Sequence, residues 1–77
     1  DKNGNTLLLI MCYNNSEKGI KYLIENGADI NKENKNGKTP LMIACSKGNQ
    51  NIVKYLLDMG ADINKKDNNG NNALHIA

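Results

Sequence analysis

The chain has 77 residues with ten lysines, no arginine and eight acidic residues, which gives a formal net charge of +2. A chain of this length forms at most one small domain and buries a smaller share of its surface than a larger domain does. The charge is nearly balanced and the guanidinium group that reads guanine edges is absent, so we predict no nucleic-acid partner. No apolar run approaches the roughly 20 residues that cross a bilayer, so we also predict no membrane partner.

The first third of the chain predicts two short helices separated by a turn. Thr6 can cap a helix from Leu7 to Tyr13, and Asn15 suits a left-handed turn position after it. Ser16 can cap a second helix over residues 17–26. The apolar stripe predicted on this second helix consists of Ile20, Leu23 and Ile24.

The remainder of the chain repeats this plan. Thr39 can cap a third helix that starts at Pro40, whose fixed φ and missing N–H suit the first helical position. Asn49 can cap a fourth helix, and a fifth is predicted from Ala73 to Ala77. The apolar part of the third helix is Leu41, Ile43, Ala44 and Cys45, and the predicted apolar stripe of the fourth is Ile52, Val53, Leu56 and Leu57.

The chain repeats itself with a period of 33 residues. Thr6 aligns with Thr39, and the hexapeptide at residues 27–32 is identical to that at residues 60–65. A third copy opens at Asp67. A fixed period of this length indicates a solenoid, in which each unit buries its apolar face by stacking on the next.

The first copy departs from the second at two positions that we expect to face the core. Met11 replaces Ala44, and Gly19 replaces Ile52. A glycine inside a helix costs about 1 kcal/mol relative to alanine. We therefore predict that Gly19→Ala stabilises the chain by roughly 0.5 to 1 kcal/mol.

The run GKTPL at residues 37–41 and the run GADIN at residues 60–64 resemble the ankyrin repeat, and the resemblance covers the whole chain. It implies an all-α solenoid of helix-turn-helix pairs joined by β-hairpin-like loops. Two full repeats, 1–33 and 34–66, would be followed by the start of a third, 67–77. We expect a single array that continues into further ankyrin repeats.

The resemblance also implies a function and a surface for it. Ankyrin arrays bind protein partners in a concave groove lined by the loop tips and the exposed sides of the first helices, without catalysis. The alternative is an architectural spacer within a larger scaffold or multidomain enzyme. Carried over by position, the groove consists of Lys2, Asn3, Asn5, Tyr13, Asn14, Glu33, Lys35, Asn36, Lys38, Ser46, Lys47, Lys66, Asn68, Asn69 and Asn71.

Charge distinguishes this predicted groove from the chain as a whole. Its five lysines face one glutamate, so the groove is locally basic although the chain is nearly neutral. The alternative is that these lysines only keep a solvated face soluble, which is the usual meaning of clustered charge. The identity of the protein partner is not predicted.

No catalytic or metal-binding constellation is predicted. His75 is the only histidine, which leaves no metal-ligand cluster and no base beside Ser16 or Ser46. We expect the imidazole to bond the nearby turn instead. The sequence therefore predicts a protein that is not an enzyme, with no cofactor and no small-molecule substrate.

The two cysteines, Cys12 and Cys45, occupy equivalent places in adjacent copies. Neighbouring packed helices lie about 8 to 10 Å apart, whereas a disulfide needs Cα atoms within about 7 Å. We predict free, partly buried thiols. Free thiols fit a reducing compartment, so the predicted location is cytoplasmic.

Asn31 and Asn64 occupy the same place in the two GADIN runs. The ankyrin resemblance implies a structural role, in which the side-chain amide bonds the hairpin backbone. If the role is structural, Asn64→Ala should lower the free energy of unfolding by about 1 to 3 kcal/mol. Some ankyrin repeats are hydroxylated at such an asparagine by an oxygen-dependent enzyme, so hydroxylation of Asn31 or Asn64 is the alternative.

Overall fold

The computed structural model describes residues 2–76 and is helical without a β-strand in that range. The helices within it are α1 (Leu7–Tyr13), α2 (Glu17–Glu25), α3 (Pro40–Lys47), α4 (Gln50–Asp58) and α5 (Ala73–Ile76). The predicted solenoid of helix-turn-helix pairs is confirmed. The second helix ends one residue earlier than predicted, and the predicted end of the fifth, Ala77, lies outside the described residues.

Each of the first four helices begins at a capping side chain, as predicted. In every case the side-chain oxygen of the cap accepts a hydrogen bond from the backbone N–H three residues later, which satisfies one of the free donors of the first turn. Pro40 occupies the first turn of α3. The caps are Thr6, Ser16, Thr39 and Asn49.

The turn between the helices of each pair requires a left-handed residue. Asn15 has φ 56° and Gly48 has φ 71° at equivalent places, so the predicted role of Asn15 is confirmed. Because the turn spans so few residues, α2 folds back against α1 and α4 against α3. Each pair is therefore one repeat.

The first helices form a continuous inner layer. Helix α1 packs on α3 and α3 packs on α5, whereas α2 and α4 make no comparably close approach. A narrow cleft lined by Ile20, Lys21 and Tyr55 lies between α2 and α4. The Lys21 ammonium bridges it, 5.5 Å from the centre of the Tyr55 ring. The first helices touch each other while the second helices are spread apart. The array therefore curves toward the side of the first helices.

The core lies between the inner and outer helices. The predicted apolar set matches it in part: Cys45 and Val53 are half-buried against the core. Met42 is buried, although it was not predicted, because α3 is enclosed by α1, α4 and α5. Leu57 belongs to the predicted apolar stripe of α4 but is 40% exposed. The buried apolar residues are Leu8, Leu9, Cys12, Ile20, Leu41, Met42, Ile43, Ala44, Ile52, Leu56 and Ala73.

The stabilisation predicted for Gly19→Ala does not allow for the neighbouring Met11. Gly19 lies inside α2 as expected, but a Cβ added there would be 2.7 Å from the Met11 sulfur and 3.2 Å from the Met11 Cγ. The large Met11 thus fills the space that Ile52 fills beside the small Ala44 in the second repeat. A stabilising Gly19→Ala substitution is therefore not expected while Met11 is present.

Candidate interaction surface

The loops that precede α3 and α5 fold back on themselves as fingers. Asn34 N–H donates to the Lys38 carbonyl at 3.1 Å, and Asp67 N–H donates to the Asn71 carbonyl at 2.8 Å. One bond of this kind in each finger closes a hairpin-like turn without the ladder that would define a strand. Gly37 lies buried in the second finger with φ 78°, in a conformation that L side chains rarely adopt.

Successive fingers are hydrogen-bonded to each other in register. Lys35 N–H donates to the Asn3 carbonyl at 2.9 Å, and the equivalent Asn68 N–H donates to the Asn36 carbonyl at 3.0 Å. The Asn68 side chain also donates to the Lys35 carbonyl at 2.7 Å. The tips therefore form one stacked row with a fixed orientation.

The first residue of each finger organises that finger's tip through its side chain. Asn34 Oδ1 accepts hydrogen bonds from the backbone N–H groups of Asn36, at 2.9 Å, and Lys38, at 3.0 Å. The remaining amide nitrogen of Asn34 donates to Asn5 Oδ1 in the preceding finger, at 2.9 Å. Asp67 repeats this pattern toward Asn69 and Asn71, at 2.9 and 3.0 Å.

Lys38 is the predicted groove residue whose role changes most. Its ammonium donates to the buried Asp67 carboxylate in the next finger, at the place where Asn5 meets Asn34 one repeat earlier. The hydrogen bond from Lys38, together with those from the tip backbone, holds the pKa of Asp67 below its usual range. Lys38 thus joins two repeats and is not a free contact for a partner. Sequence reasoning missed Asp67 as its counterpart.

Most of the other predicted groove residues are exposed. Asn5 and Glu33 are half-buried, and Glu33 pairs with the Lys65 ammonium at 3.2 Å. We call the exposed set the tip face. It consists of Lys2, Asn3, Tyr13, Asn14, Lys35, Asn36, Ser46, Lys47, Lys66, Asn68, Asn69 and Asn71.

The inner helices contribute an aromatic ring and a lysine to the tip face. Tyr13 ends α1 and is 41% exposed, and the Lys47 ammonium at the end of α3 lies 5.9 Å from the centre of its ring. A cation at that distance from a ring face is attracted by its quadrupole. Tyr13 and Lys47 therefore come together across two repeats. The Ser46 hydroxyl, in contrast, donates a hydrogen bond to the Ile43 carbonyl of its own helix at 2.8 Å.

The charges divide between the two sides of the array. The segments 16–32 and 49–65, which hold the second helices, carry five lysines and five acidic residues. The described segments 2–15, 33–48 and 66–76, which hold the tips and first helices, carry five lysines and two acidic residues. Both acids, Glu33 and Asp67, are paired with lysines. Uncompensated positive charge thus lies on the tip side.

The two candidate hydroxylation residues differ in their contacts. Asn31 is half-buried, and its Oδ1 accepts a hydrogen bond from the Asp62 backbone N–H in the next repeat at 2.8 Å. The Asn64 side chain is exposed and has no such bond within residues 2–76. The Asn31 side chain therefore bonds the backbone as predicted, although the bond reaches the next repeat and not its own hairpin. The equivalent partner of Asn64 would lie 31 residues further along, outside these 77 residues, so a small effect of Asn64→Ala is expected in this chain. Hydroxylation of either residue stays a prediction.

The remaining reactive groups are held in structural positions. Cys12 and Cys45 are free thiols, and burial raises the pKa of Cys12 to about 12 and also raises the pKa of Cys45. His75 Nδ1 accepts from the Asn72 N–H at 3.2 Å, as predicted. In the described part of the chain, no group of acidic, cysteine or histidine side chains is arranged to hold a metal ion. None of the described helices is both long and apolar enough to cross a membrane.

The comparisons with known proteins agree with the repeat geometry. Residues 8–77 match the family model described as Ankyrin repeats (3 copies). No curated protein matches the chain at a significant level.

Proposed function

The chain belongs to the ankyrin repeat family, and we propose that it is an interaction module that binds a protein partner at its tip face. Ankyrin repeats are generally protein–protein interaction modules and are typically non-catalytic. We propose accordingly that the chain has no catalytic activity of its own. We also propose a cytoplasmic location, because free thiols fit a reducing compartment.

One observation carries the choice of surface. On the tip face, Lys2, Lys35, Lys47 and Lys66 have no ion-pair partner within residues 2–76. Within residues 2–76, the two acids of the tip side, Glu33 and Asp67, are already paired with Lys65 and Lys38. Exposed charges of one sign on a backbone held by inter-finger hydrogen bonds are suited to steer and orient a complementary partner.

Lysines on the two sides of the array provide a matched test. The groove variant carries Lys35→Gln, Lys47→Gln and Lys66→Gln, and leaves Lys38 intact because it joins two repeats. The control variant carries Lys18→Gln, Lys32→Gln and Lys54→Gln, which are exposed residues of the second-helix segments. Both variants remove the same charge, so a nonspecific effect of net charge would appear in both.

The measurement is quantitative mass spectrometry of proteins captured from the native source by the wild-type chain and by each variant. Loss of the same captured protein from the groove variant alone is the expected result. Equal capture by all three chains would favour the alternative, an architectural spacer. Circular dichroism of the variants shows that each is folded before the comparison is made.

We also propose that the array continues into further ankyrin repeats. Leu74 supports this because it occupies the position of Leu41 in the third repeat: Leu41 is 1% exposed, whereas Leu74 is 66% exposed. A second helix in the third repeat would pack on α5 as α4 packs on α3 and would add cover around Leu74. Lengthening the chain with the native sequence that follows should raise its melting temperature, and an unchanged melting temperature would contradict the proposal.

A further inference from the structure

The row of finger tips has a spacing that constrains what can lie along it. Lys2 and Lys35 occupy the same position in successive repeats, and Asn68 occupies it in the third. Packed helices such as α1 and α3 lie about 8 to 10 Å apart, and tips that are hydrogen-bonded in register follow the same repeat spacing. Two ammonium groups at this separation match two carboxylates at the same separation.

A second row runs beside the lysines. Asn36 and Asn69 are equivalent residues of the second and third tips, and both are exposed. Their backbone N–H groups are taken by the finger, but within residues 2–76 their side-chain amides make no hydrogen bond. An amide that projects beside a lysine can donate to a main-chain carbonyl of the same partner.

The two rows together select one backbone conformation. A polyproline II segment has three residues per turn and rises about 3.1 Å per residue, so side chains three apart lie on one face about 9 Å from each other. Its carbonyls are free to accept hydrogen bonds, whereas those of an α-helix are bonded internally. A β-strand would turn residues three apart to opposite faces.

From this spacing we propose that the tip face binds an acidic polyproline II segment whose carboxylates are three residues apart. The inference rests on the proposed function, since it names the chemistry of the partner for the same surface. Two successive carboxylates pair with Lys2 and Lys35, and the amides of Asn36 and Asn69 bond the segment's main chain. The chain thereby reads both the charge and the pitch of its partner.

The test uses two acetylated peptides of identical composition and charge. One is (Glu-Pro-Pro)₃, which presents a carboxylate every third residue, and the other places its three glutamates contiguously before six prolines. Each is titrated into the ¹⁵N-labelled 77-residue chain at low salt, and the dissociation constant is taken from shifts of the backbone amides. We expect the spaced peptide to bind more tightly and to shift the amides of the three tips.

Single substitutions assign the contact. Lys35→Gln should weaken binding of the spaced peptide by about two- to five-fold, the usual range for an exposed ion pair. Lys54→Gln, on the outer helix α4, should leave the dissociation constant unchanged. Equal affinity for the two peptides, or an equal effect of the two substitutions, would overturn the proposed spacing.

Failure of this inference can be told apart from failure of the proposed function. If neither peptide binds while the groove variant still loses its captured protein, the surface is right and an acidic polyproline II partner is wrong. If the groove variant also captures as the wild type does, the surface itself is wrong.

Discussion

Each repeat pairs a large with a small side chain: Met11 lies beside Gly19 in the first repeat, and Ile52 lies beside Ala44 in the second. Substituting Gly19 therefore tests this packing. Alanine in place of glycine inside a helix gains about 1 kcal/mol of intrinsic propensity. Against this, the new Cβ would meet the Met11 sulfur at 2.7 Å, and overpacking of this kind costs about 1 to 3 kcal/mol. We therefore expect Gly19→Ala to leave stability unchanged or to lower it by up to about 2 kcal/mol.

The conflict should disappear when Met11 is shortened. The new Cβ would also lie 2.9 Å from the Ser16 oxygen. This contact is tolerable, since the second repeat places the branched Ile52 at the same position relative to its cap, Asn49. In a Met11→Ala background, Gly19→Ala should thus recover the full gain of about 1 kcal/mol.

The assay is a double-mutant cycle of urea unfolding followed by far-ultraviolet circular dichroism. The wild type, the two single variants and the double variant together yield a coupling energy that we expect to be about 1 to 3 kcal/mol. If Gly19→Ala stabilises both backgrounds equally by about 1 kcal/mol, Met11 does not occupy this space and the packing described is wrong.

Three further predictions concern single side chains. Asn31→Ala should lower the free energy of unfolding by about 1 kcal/mol, while Asn64→Ala, the matched control, should change it little; equal losses would contradict the contact. Because the pKa of Asp67 is lower in the folded chain than in the unfolded one, its stabilisation is complete above the unfolded pKa and is lost as the pH falls through the folded pKa. Thermal melts on acidification should therefore show a smaller loss for Asp67→Asn than for the wild type, and parallel losses would refute this origin. A thiol reagent should label Cys45 before Cys12, whose raised pKa and burial keep it protonated and covered until the chain unfolds; labelling at equal rates would contradict that difference.

The local features of the fold could be predicted because each depends on residues close in sequence. Ser16 reaches a donor three residues ahead, and Asn15 needs only its own left-handed conformation. The period of 33 residues then related the two repeats, so the stacking of equivalent helices followed. Local residue preferences and the repeat period were together enough to predict the architecture.

The misassigned residues depend on contacts between repeats. Lys38 looked like an exposed groove residue because its partner, Asp67, lies 29 residues later in the next finger. The same separation joins Asn5 to Asn34 in the structure, and neither contact is marked by a local pattern in the sequence. Gly19 was judged by propensity alone, although the side chain that decides it belongs to the preceding helix.

The tip face could be listed from the sequence, but its charge balance could not. Counting residues gave five lysines against Glu33 and left Asp67 out. The structure removes Lys38 from the free set and shows that Glu33 is already paired with Lys65. The tip-face lysines without an ion pair are therefore fewer than predicted, and the repeat sets the spacing between the finger tips that carry them.

Photo-crosslinking from two tyrosine positions tests most directly whether the tip face binds the partner. Benzoylphenylalanine, which carries a benzoyl group where tyrosine has its hydroxyl, replaces either Tyr13, on the inner helix α1, or Tyr22, on the outer helix α2. Both side chains are exposed, at 41% and 66%, so the larger group can be accommodated. The full chain is irradiated in cells of its native source, and covalent adducts are identified by mass. We predict a protein adduct from position 13 and none from position 22. An adduct from position 22 alone, or from neither position, would contradict binding at the tip face.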